Sequence, residues 1–234
     1  MRVRPTLWGL ATLLLCSCGG GGGPTVGYGL AGAWSFDGDG KDHSGNKLDL
    51  EVAGLSFAPG KFGKGLQLSG DGTPIAQRPV NDPSLDLANG DFSVSFWIDF
   101  AATSSAQFIA VKGFGTDGWF VGWAQTAWAW GLPKGSTFMP AGGSPATGTF
   151  HHVVFERSGD IVDIRVDESS VGTAMVMATA PSATDPFQVG GFAPGGVSVS
   201  TGQSVVNGVV DDLSIWHRAL SAAELDFLAS HAVP

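Results

Sequence analysis

Four tryptophans fall within a short stretch of this chain, at positions that would place an aromatic surface on a sheet. They are Trp119, Trp123, Trp128 and Trp130. Sugars stack their apolar C–H faces on indole rings, so a row of tryptophans on a sheet forms a plausible glycan platform. The same residues would alternatively form core packing between two sheets. Both interpretations are open from the sequence.

The spacing of these tryptophans favours at least one exposed indole. On strands, Trp119 and Trp123 would share one face, and Trp128 and Trp130 would share another. Four indoles so close together are hard to bury completely. We therefore predict that at least one of the four binds ligand, with Trp123 or Trp128 favoured because Gly122, Ala127 and Ala129 leave room beside the ring.

The nearest approach to a catalytic carboxylate pair is Asp163 and Asp167, with Arg165 between them. Retaining glycoside hydrolysis needs two carboxyl groups roughly 5 Å apart. Alternating Val and Ile residues instead predict that these charges lie on the solvated face of a strand. The adjacent His151 and His152 would point to opposite sides of a strand and cannot share one metal ion.

The elements that would position these residues are short strands. Residues 92–100 alternate strictly, with Phe92, Val94, Phe96, Ile98 and Phe100 on one face. Further strands are predicted at 107–112, 118–123, 127–132, 150–155, 160–167, 174–178 and 187–190. Gly-rich turns separate them, which indicates an all-β antiparallel sandwich. A capping box of Ser221 and Glu224 predicts one short helix near the C-terminus.

The N-terminus has the features of a secretion leader. Arg2 and Arg4 precede an apolar run over 7–15, and Ser17 stands before Cys18. This arrangement resembles a bacterial lipoprotein box, with Cys18 as the lipidated residue; ordinary secretion without lipid is the alternative. The resemblance predicts a cell-envelope protein held to a membrane by its lipid anchor, at the outer membrane or cell surface of a bacterium.

Composition then divides the chain and excludes one class of partner. We predict a signal peptide over 1–18, a Gly-rich tether over 19–27, and a single folded domain over 28–230. A run of glycines cannot bury apolar surface, which is why it is predicted to be a tether. The 12 basic and 21 acidic residues give a net charge of −9. Nucleic acid is therefore excluded as a partner, because its phosphates need clustered Lys and Arg.

Several short motifs, in the right order, resemble the LamG-like jelly-roll family of the concanavalin A-like lectin/glucanase superfamily. The motifs are Ala33-Trp34-Ser35-Phe36-Asp37, Asp42-His43-Ser44-Gly45-Asn46, Pro59-Gly60-Lys61-Phe62-Gly63-Lys64-Gly65-Leu66, the strand at 92–97, Phe150-His151-His152-Val153 and Val166-Asp167-Glu168. Phe150 and Glu168 depart from the family pattern. The last motif is Gly208-Val209-Val210-Asp211-Asp212-Leu213-Ser214-Ile215-Trp216. The resemblance implies a two-sheet jelly roll with one short C-terminal helix.

The resemblance also implies a possible structural calcium ion near the edge where the first and last strands pair. Calcium takes six to eight oxygen ligands from carboxylates, carbonyls and water. Our favoured ligands are Asp37, Asp42 and Asp211. The alternative is that these side chains only cap turns through local hydrogen bonds.

Glucanases of the superfamily carry a Glu-x-Asp-x-x-Glu strand, and this sequence has no such motif. We therefore predict a non-catalytic cell-surface binding module whose partner is a polysaccharide, a cell-surface glycan or a protein. Two alternatives stand beside it: a diverged glycoside hydrolase, and a structural envelope protein without a soluble ligand.

Overall fold

The computed structural model describes residues 24–70, 72, 74–87, 90–113, 118–131, 142–175, 186–193 and 204–233. Cys18 and most of the predicted tether lie outside these residues. The strands are β1 Leu30–Trp34, β2 Ser56–Pro59, β3 Lys64–Ser69, β4 Ala76–Gln77, β5 Phe92–Phe100, β6 Ala106–Lys112, β7 Trp119–Ala124, β8 Trp128–Gly131, β9 His151–Ser158, β10 Ile161–Val166, β11 Ser169–Met175, β12 Phe187–Val189 and β13 Asn207–Trp216. The helix α1 spans Ala222–Leu228.

The strands form two antiparallel sheets, as the predicted jelly-roll class requires. The larger sheet has eight strands in the order β11-β10-β9-β5-β13-β3-β2, with β1 also paired to β13. The smaller sheet has five strands in the order β4-β12-β6-β7-β8. The sheets pack face to face around one apolar core, so each has an inner and an outer face.

The central strand β5 matches its predicted bounds and alternation. Its five apolar side chains at 92, 94, 96, 98 and 100 are fully buried in the core between the sheets. The other side chains of β5, including Trp97 and Asp99, therefore lie on the outer face of the larger sheet. Strand β5 lies between β13 and β9, so its outward-pointing side chains run along the middle of that outer face.

The hairpin of β9 and β10 forms where predicted, with its turn at 159–160. The strand predicted at 174–178 begins earlier, because β11 starts at Ser169 and its described part ends at Met175; positions 176–178 lie outside the described residues. The two-residue turn between β10 and β11 consists of Asp167 and Glu168, both with positive φ. Such a turn fixes the register of the next strand immediately, whereas the polar, half-exposed sequence of β11 carries no alternating signal.

The last strand β13 changes partner partway along its length, on the side away from β5. Asn207–Val210 pairs with β3, and Leu213–Trp216 pairs with β1. Asp211 and Asp212 lie between the two pairings, at a bulge relative to β5. The first and last described strands thus pair, as the sequence motifs indicate, and an acidic pair marks the junction.

Helix α1 follows β13 and starts with the predicted capping box of Ser221 and Glu224. The Glu224 carboxylate also forms a two-pronged ion pair with Arg218. At seven residues α1 is far too short to cross a bilayer, and the described part of the chain contains no helix with the length and apolarity of a membrane span.

Candidate functional site

The outer face of the larger sheet falls into three zones along β5 and β13. Helix α1 covers one end, where Trp216, Val154, Leu225 and Leu228 form an apolar cluster with Val26. The Trp216 indole N–H donates to the Val26 carbonyl oxygen at 2.7 Å, which ties the segment before β1 to the same end. This zone is closed by packing.

The middle zone is covered by the β2–β3 turn, residues 60–63. Lys61 places its Nζ 4.1 Å from the centre of the Trp97 ring, and Phe62 meets the same indole edge-on at 6.0 Å. His152 stacks on Trp97 with ring centres 5.0 Å apart. Trp97 is 6% exposed although it points away from the core.

The third zone carries an open depression that we call the polar groove. Its side chains come from three strands: Gln67 and Ser69 on β3, Asp99 on β5, and Asn207 on β13. Strand register brings them together, because Val209 lies opposite both Gln67 and Asp99 while Asn207 lies opposite Ser69. The groove encloses about 220 Å³.

The chemistry of the polar groove suits a small polyhydroxylated molecule. Carboxylate, amide and hydroxyl groups offer both donors and acceptors to vicinal hydroxyls. The Oδ1 atom of Asp99 is buried and has no hydrogen-bond partner among the described residues. Asp99 as a whole is partly exposed and lines the groove, so the accessible part of its carboxylate can accept a hydrogen bond from a ligand hydroxyl. The volume is below the roughly 300–1,000 Å³ of pockets for whole drug-sized ligands, and it suits one sugar ring.

Two of the three predicted calcium ligands lie close together at the junction in β13. Asp211 accepts a hydrogen bond from the Phe62 N–H at 3.0 Å, and Asp37 accepts one from the Lys64 N–H at 2.7 Å. Both carboxylates therefore hold the β2–β3 turn against the sheet. Glycines at positions 60 and 63 make this approach possible, because a Cβ at either would collide with the carboxylate of Asp211 or Asp37.

Burial changes the acid–base chemistry of this junction. It raises the pKa of Asp211 to about 6. It raises the pKa of Asp212 to about 8, with repulsion from Asp211 as a second cause. From the sequence, Asp212 is a further possible source of ligand oxygens beside Asp211, but it is not among the favoured calcium ligands. Its Oδ2 accepts a hydrogen bond from the Val233 N–H at 3.3 Å.

Asp42, the third predicted ligand, caps the turn after β1. Its carboxylate accepts hydrogen bonds from the N–H groups of Ala33, Ser44 and Leu48 at 2.8–3.0 Å. These bonds lower the pKa of Asp42 despite its partial burial. This is the turn-capping alternative raised from the sequence.

The predicted ligands therefore fit a calcium ion only in part, since two of the three lie together. Among the described residues, no three His, Cys, Asp or Glu side chains are grouped so as to hold a metal ion. A cation at the junction would use Asp37 and Asp211 together with backbone or solvent oxygens. The calcium site stays a prediction, centred on the junction and not on Asp42, whose carboxylate is bonded within its own turn.

The expected aromatic platform is not at the surface. Trp119, Trp123, Trp128 and Trp130 are all buried, with at most 2% exposure, so the expectation that at least one indole is exposed is wrong. Strands β7 and β8 pair Trp123 with Trp128 and Val121 with Trp130, which puts the tryptophans of both strands on the inner face.

The physical reason is the aromatic content of the opposing sheet. Trp130 stacks on Phe92 at 5.9 Å, and Trp128 packs against Phe100 at 5.8 Å. Gly122 and Ala129 lie opposite each other on the outer face of the smaller sheet, so they make no room beside the inner indoles. The core accommodates four tryptophans because the facing strand β5 supplies phenylalanines.

A further polar cluster, which sequence reasoning missed, links Ser95, His152 and Glu168. Ser95 Oγ lies 2.9 Å from His152 Nε2, and His152 Nδ1 lies 3.2 Å from Glu168 Oε1. Burial lowers the pKa of His152 to about 4, so its ring is neutral near pH 7. The order Ser–His–acid resembles a nucleophilic relay.

The surroundings of this cluster favour structural anchoring. Ser95 is 2% exposed, and it does not line the adjacent 40 Å³ cavity that touches His152 and Glu168. The neighbouring His151 and Asp167 form a second contact at 2.8 Å. Both His–acid contacts fasten the β10–β11 turn to β9, which accounts for the two adjacent histidines.

The candidate carboxylate pair on β10 is occupied by surface contacts. Asp163 accepts a hydrogen bond from the Ser170 hydroxyl at 2.5 Å and lies 3.1 Å from the Arg165 guanidinium. Asp167 accepts a hydrogen bond from the His152 N–H at 3.1 Å. The two carboxylates thus serve the hairpin, in line with the solvated strand face expected from the sequence.

Comparison with protein families gives one match over more than half of the chain. A family model described as the concanavalin A-like lectin/glucanases superfamily matches residues 72–226. No curated protein matches the sequence.

Several solved structures share the fold at low sequence identity. The binding domain of Paraclostridial Mosquitocidal Protein 1 aligns with a TM-score of 0.69 at 15% identity, over 88% of this chain and 52% of that one. Domain 4 of AbnA, a GH43 extracellular arabinanase from Geobacillus stearothermophilus in complex with arabinotriose, aligns with a TM-score of 0.63 at 20% identity. The alignment covers 86% of this chain and 98% of that one.

A sialidase from Trypanosoma rangeli aligns with a TM-score of 0.60 at 20% identity, over 88% of this chain and 33% of that one. The chain thus spans about half of the mosquitocidal binding domain and a third of the sialidase. Identities this low establish the shared fold alone.

Proposed function

Since this chain belongs to the concanavalin A-like lectin/glucanase superfamily, we propose that it is a non-catalytic binding module that recognises a glycan through the polar groove. The observation that carries the proposal is the groove itself, which is lined by the partly exposed carboxylate of Asp99 beside the amides of Gln67 and Asn207. A fold alone does not assign a function, so the site must carry the argument.

The arabinanase domain supports this proposal by analogy. It has nearly the same extent as this chain, and its structure was solved with arabinotriose. A domain of this fold and size can therefore hold an oligosaccharide without a second domain. The binding domains of the longer neighbours give weaker support, because this chain covers only about half of each.

A glycan array with the purified protein tests the proposal, followed by calorimetry of each hit. We expect Asp99→Asn to weaken binding by tenfold or more, on the order of the 1.5–3 kcal/mol of a hydrogen bond to a charged group. Asp160→Asn is the matched control, because Asp160 lies at the exposed turn between β9 and β10, beyond the opposite end of β5. Equal affinities for the two variants would contradict the groove as the site.

The array also separates the other candidates. Binding to no glycan, together with capture of a surface protein that Asp99→Asn abolishes, would identify a protein ligand. Release of reducing sugar from a β-glucan panel would instead support the diverged glycoside hydrolase. A protein with neither property would fit the structural envelope role.

We further propose that Cys18 carries a lipid that anchors the protein at the outer membrane or cell surface. The support is the leader sequence, with Ser17 before Cys18. A single acyl chain holds a protein only marginally, so the several chains of a bacterial lipoprotein are required. Mass spectrometry of the mature N-terminus tests this. An unmodified chain beginning elsewhere would contradict it.

A further inference from the structure

Trp97 lies on the same face of the larger sheet as the polar groove, outside the residues that line it. It precedes Asp99 by two residues on β5, so the two side chains point the same way about 7 Å apart along the strand. Across the sheet, Asp211 lies opposite Trp97 and Val209 lies opposite Asp99. A glycan longer than one ring, lying along β5 from the groove, would reach the indole next.

The Trp97 indole is covered by side chains of the β2–β3 turn and not by a second sheet. His152 supports the ring from β9, and Phe62 touches it edge-on. The ammonium of Lys61, an exposed residue, lies over the ring at 4.1 Å. Lysine has a flexible four-carbon stem and a strongly hydrated charge, so it can leave the ring for water at small cost.

The Trp97 Nε1 atom is an unsatisfied donor. It is buried and lacks a hydrogen-bond partner within the described residues, whereas Trp119 and Trp123 donate to carbonyl oxygens of Leu85 and Thr103. The core residue Trp130 has the same unpartnered N–H, so this donor does not by itself distinguish Trp97. What distinguishes the Trp97 indole is a stacking face under a displaceable cation.

We infer that Trp97 is a second sugar subsite next to the polar groove, and that Lys61 occupies its stacking face until a glycan of two or more rings displaces it. This inference rests on the proposed glycan-binding function. It makes Lys61 a determinant of chain-length preference: one ring fills the groove alone, while a longer chain must compete with the lysine.

The first test needs no ligand. Every other described tryptophan is at most 2% exposed. In Lys61→Ala we expect a new fraction of fluorescence that acrylamide quenches, and we expect Trp97→Phe to remove that fraction in the double variant. Lys64→Ala is the matched control, because it removes the same charge three residues later, where β3 begins, whereas the cation over the indole is that of Lys61. No new quenchable fraction in Lys61→Ala would overturn the inference.

The second test uses arabinose, arabinotriose, glucose and cellotriose as probes in calorimetry. We expect Lys61→Ala to bind a trisaccharide about two- to fivefold more tightly than the unaltered protein, the strength of an exposed cation–π contact. Affinity for the corresponding monosaccharide should be unchanged in both proteins. Lys64→Ala should match the unaltered protein with both sugars.

The outcomes separate the two proposals. If monosaccharide and trisaccharide bind but Lys61→Ala changes neither, the subsite is wrong and the glycan-binding function stands. If none of the four probes binds any variant, the proposed function fails for these sugars and the subsite fails with it.

Discussion

Tryptophan has different surroundings on the two sides of the larger sheet. Against its inner face, Trp128 of the smaller sheet is 1% exposed and packs on phenylalanines of β5. On its outer face, Trp97 is 6% exposed and is covered by one turn, with a lysine over the ring. Both exposed fractions are small, yet one cover is a whole sheet and the other is a single turn with a flexible lysine side chain over the ring. The exposed fraction of an aromatic ring therefore does not distinguish a core residue from a candidate binding residue. The kind of structure that covers the ring does.

The largest loss of stability is expected when the core tryptophan Trp128 is truncated. Trp128→Ala removes contacts with Phe96, Phe100 and Phe155, so we expect a loss of about 3–5 kcal/mol in the free energy of unfolding, typical of a truncated core aromatic. Urea denaturation followed by circular dichroism measures it. Trp97→Ala should cost clearly less. Equal losses for the two variants would remove the distinction.

The next effect concerns the acidic junction that holds the turn over Trp97. With its folded pKa raised to about 8, Asp212 keeps a proton that it loses in the unfolded chain near pH 4. The folded state therefore binds more protons between these values, and stability falls as pH rises through that window. We expect Asp212→Asn to be more stable than the unaltered protein at pH 8.5, by roughly 2–4 kcal/mol, and similar at pH 5.

Urea midpoints at the two pH values measure this difference. Asp39→Asn is the control, since Asp39 is an exposed carboxylate in the turn after β1. Identical pH profiles for Asp212→Asn and the unaltered protein would show that Asp212 ionises normally in the folded state.

Calcium would act on the same junction in the opposite direction. An ion held by Asp37 and Asp211 would favour the charged carboxylates, so we expect calcium to raise the melting temperature and chelator to lower it. At a hundredfold excess over its Kd, a ligand of the native state stabilises by about 2.7 kcal/mol. Asp37→Asn should abolish the response. Superimposable melting curves over a wide calcium range would exclude a functional site.

The smallest stability effect is expected in the groove. Asp99→Asn keeps the shape of the side chain in a partly exposed position, so we expect a change within about 0.5 kcal/mol. Thermal unfolding checks this. A loss as large as that of Trp128→Ala would mean that Asp99 supports the fold, and any effect on binding would then be indirect.

The sequence predicts the fold well because its signals are local. The alternation over 92–100 and the apolar pattern of β10 each lie within one strand, and each places its side chains on the correct face. The same alternation puts Trp97 on the outer face. Its importance goes unnoticed in the sequence because the lysine that covers it comes from a turn more than thirty residues earlier.

The candidate site is less predictable because it is assembled by register. Gln67, Asp99 and Asn207 belong to three strands far apart in the chain and meet only through β13. The tryptophan-rich segment misleads for the reverse reason: its local density suggests a platform, but the aromatic partners that bury it lie on β5 and β9.

Because β13 changes partner along its length, its two ends have different surroundings at the surface of the domain. Val26 and helix α1 are fastened at Trp216, while the groove begins at Asn207, nine residues earlier on the same strand. A strand of that length spans about 30 Å. Residue 24, where the described part of the chain begins, therefore lies at the end of the domain remote from the groove. If the domain were fixed to a surface at that end, it would stand with its groove at the distal tip, reaching outward to large or insoluble polymers.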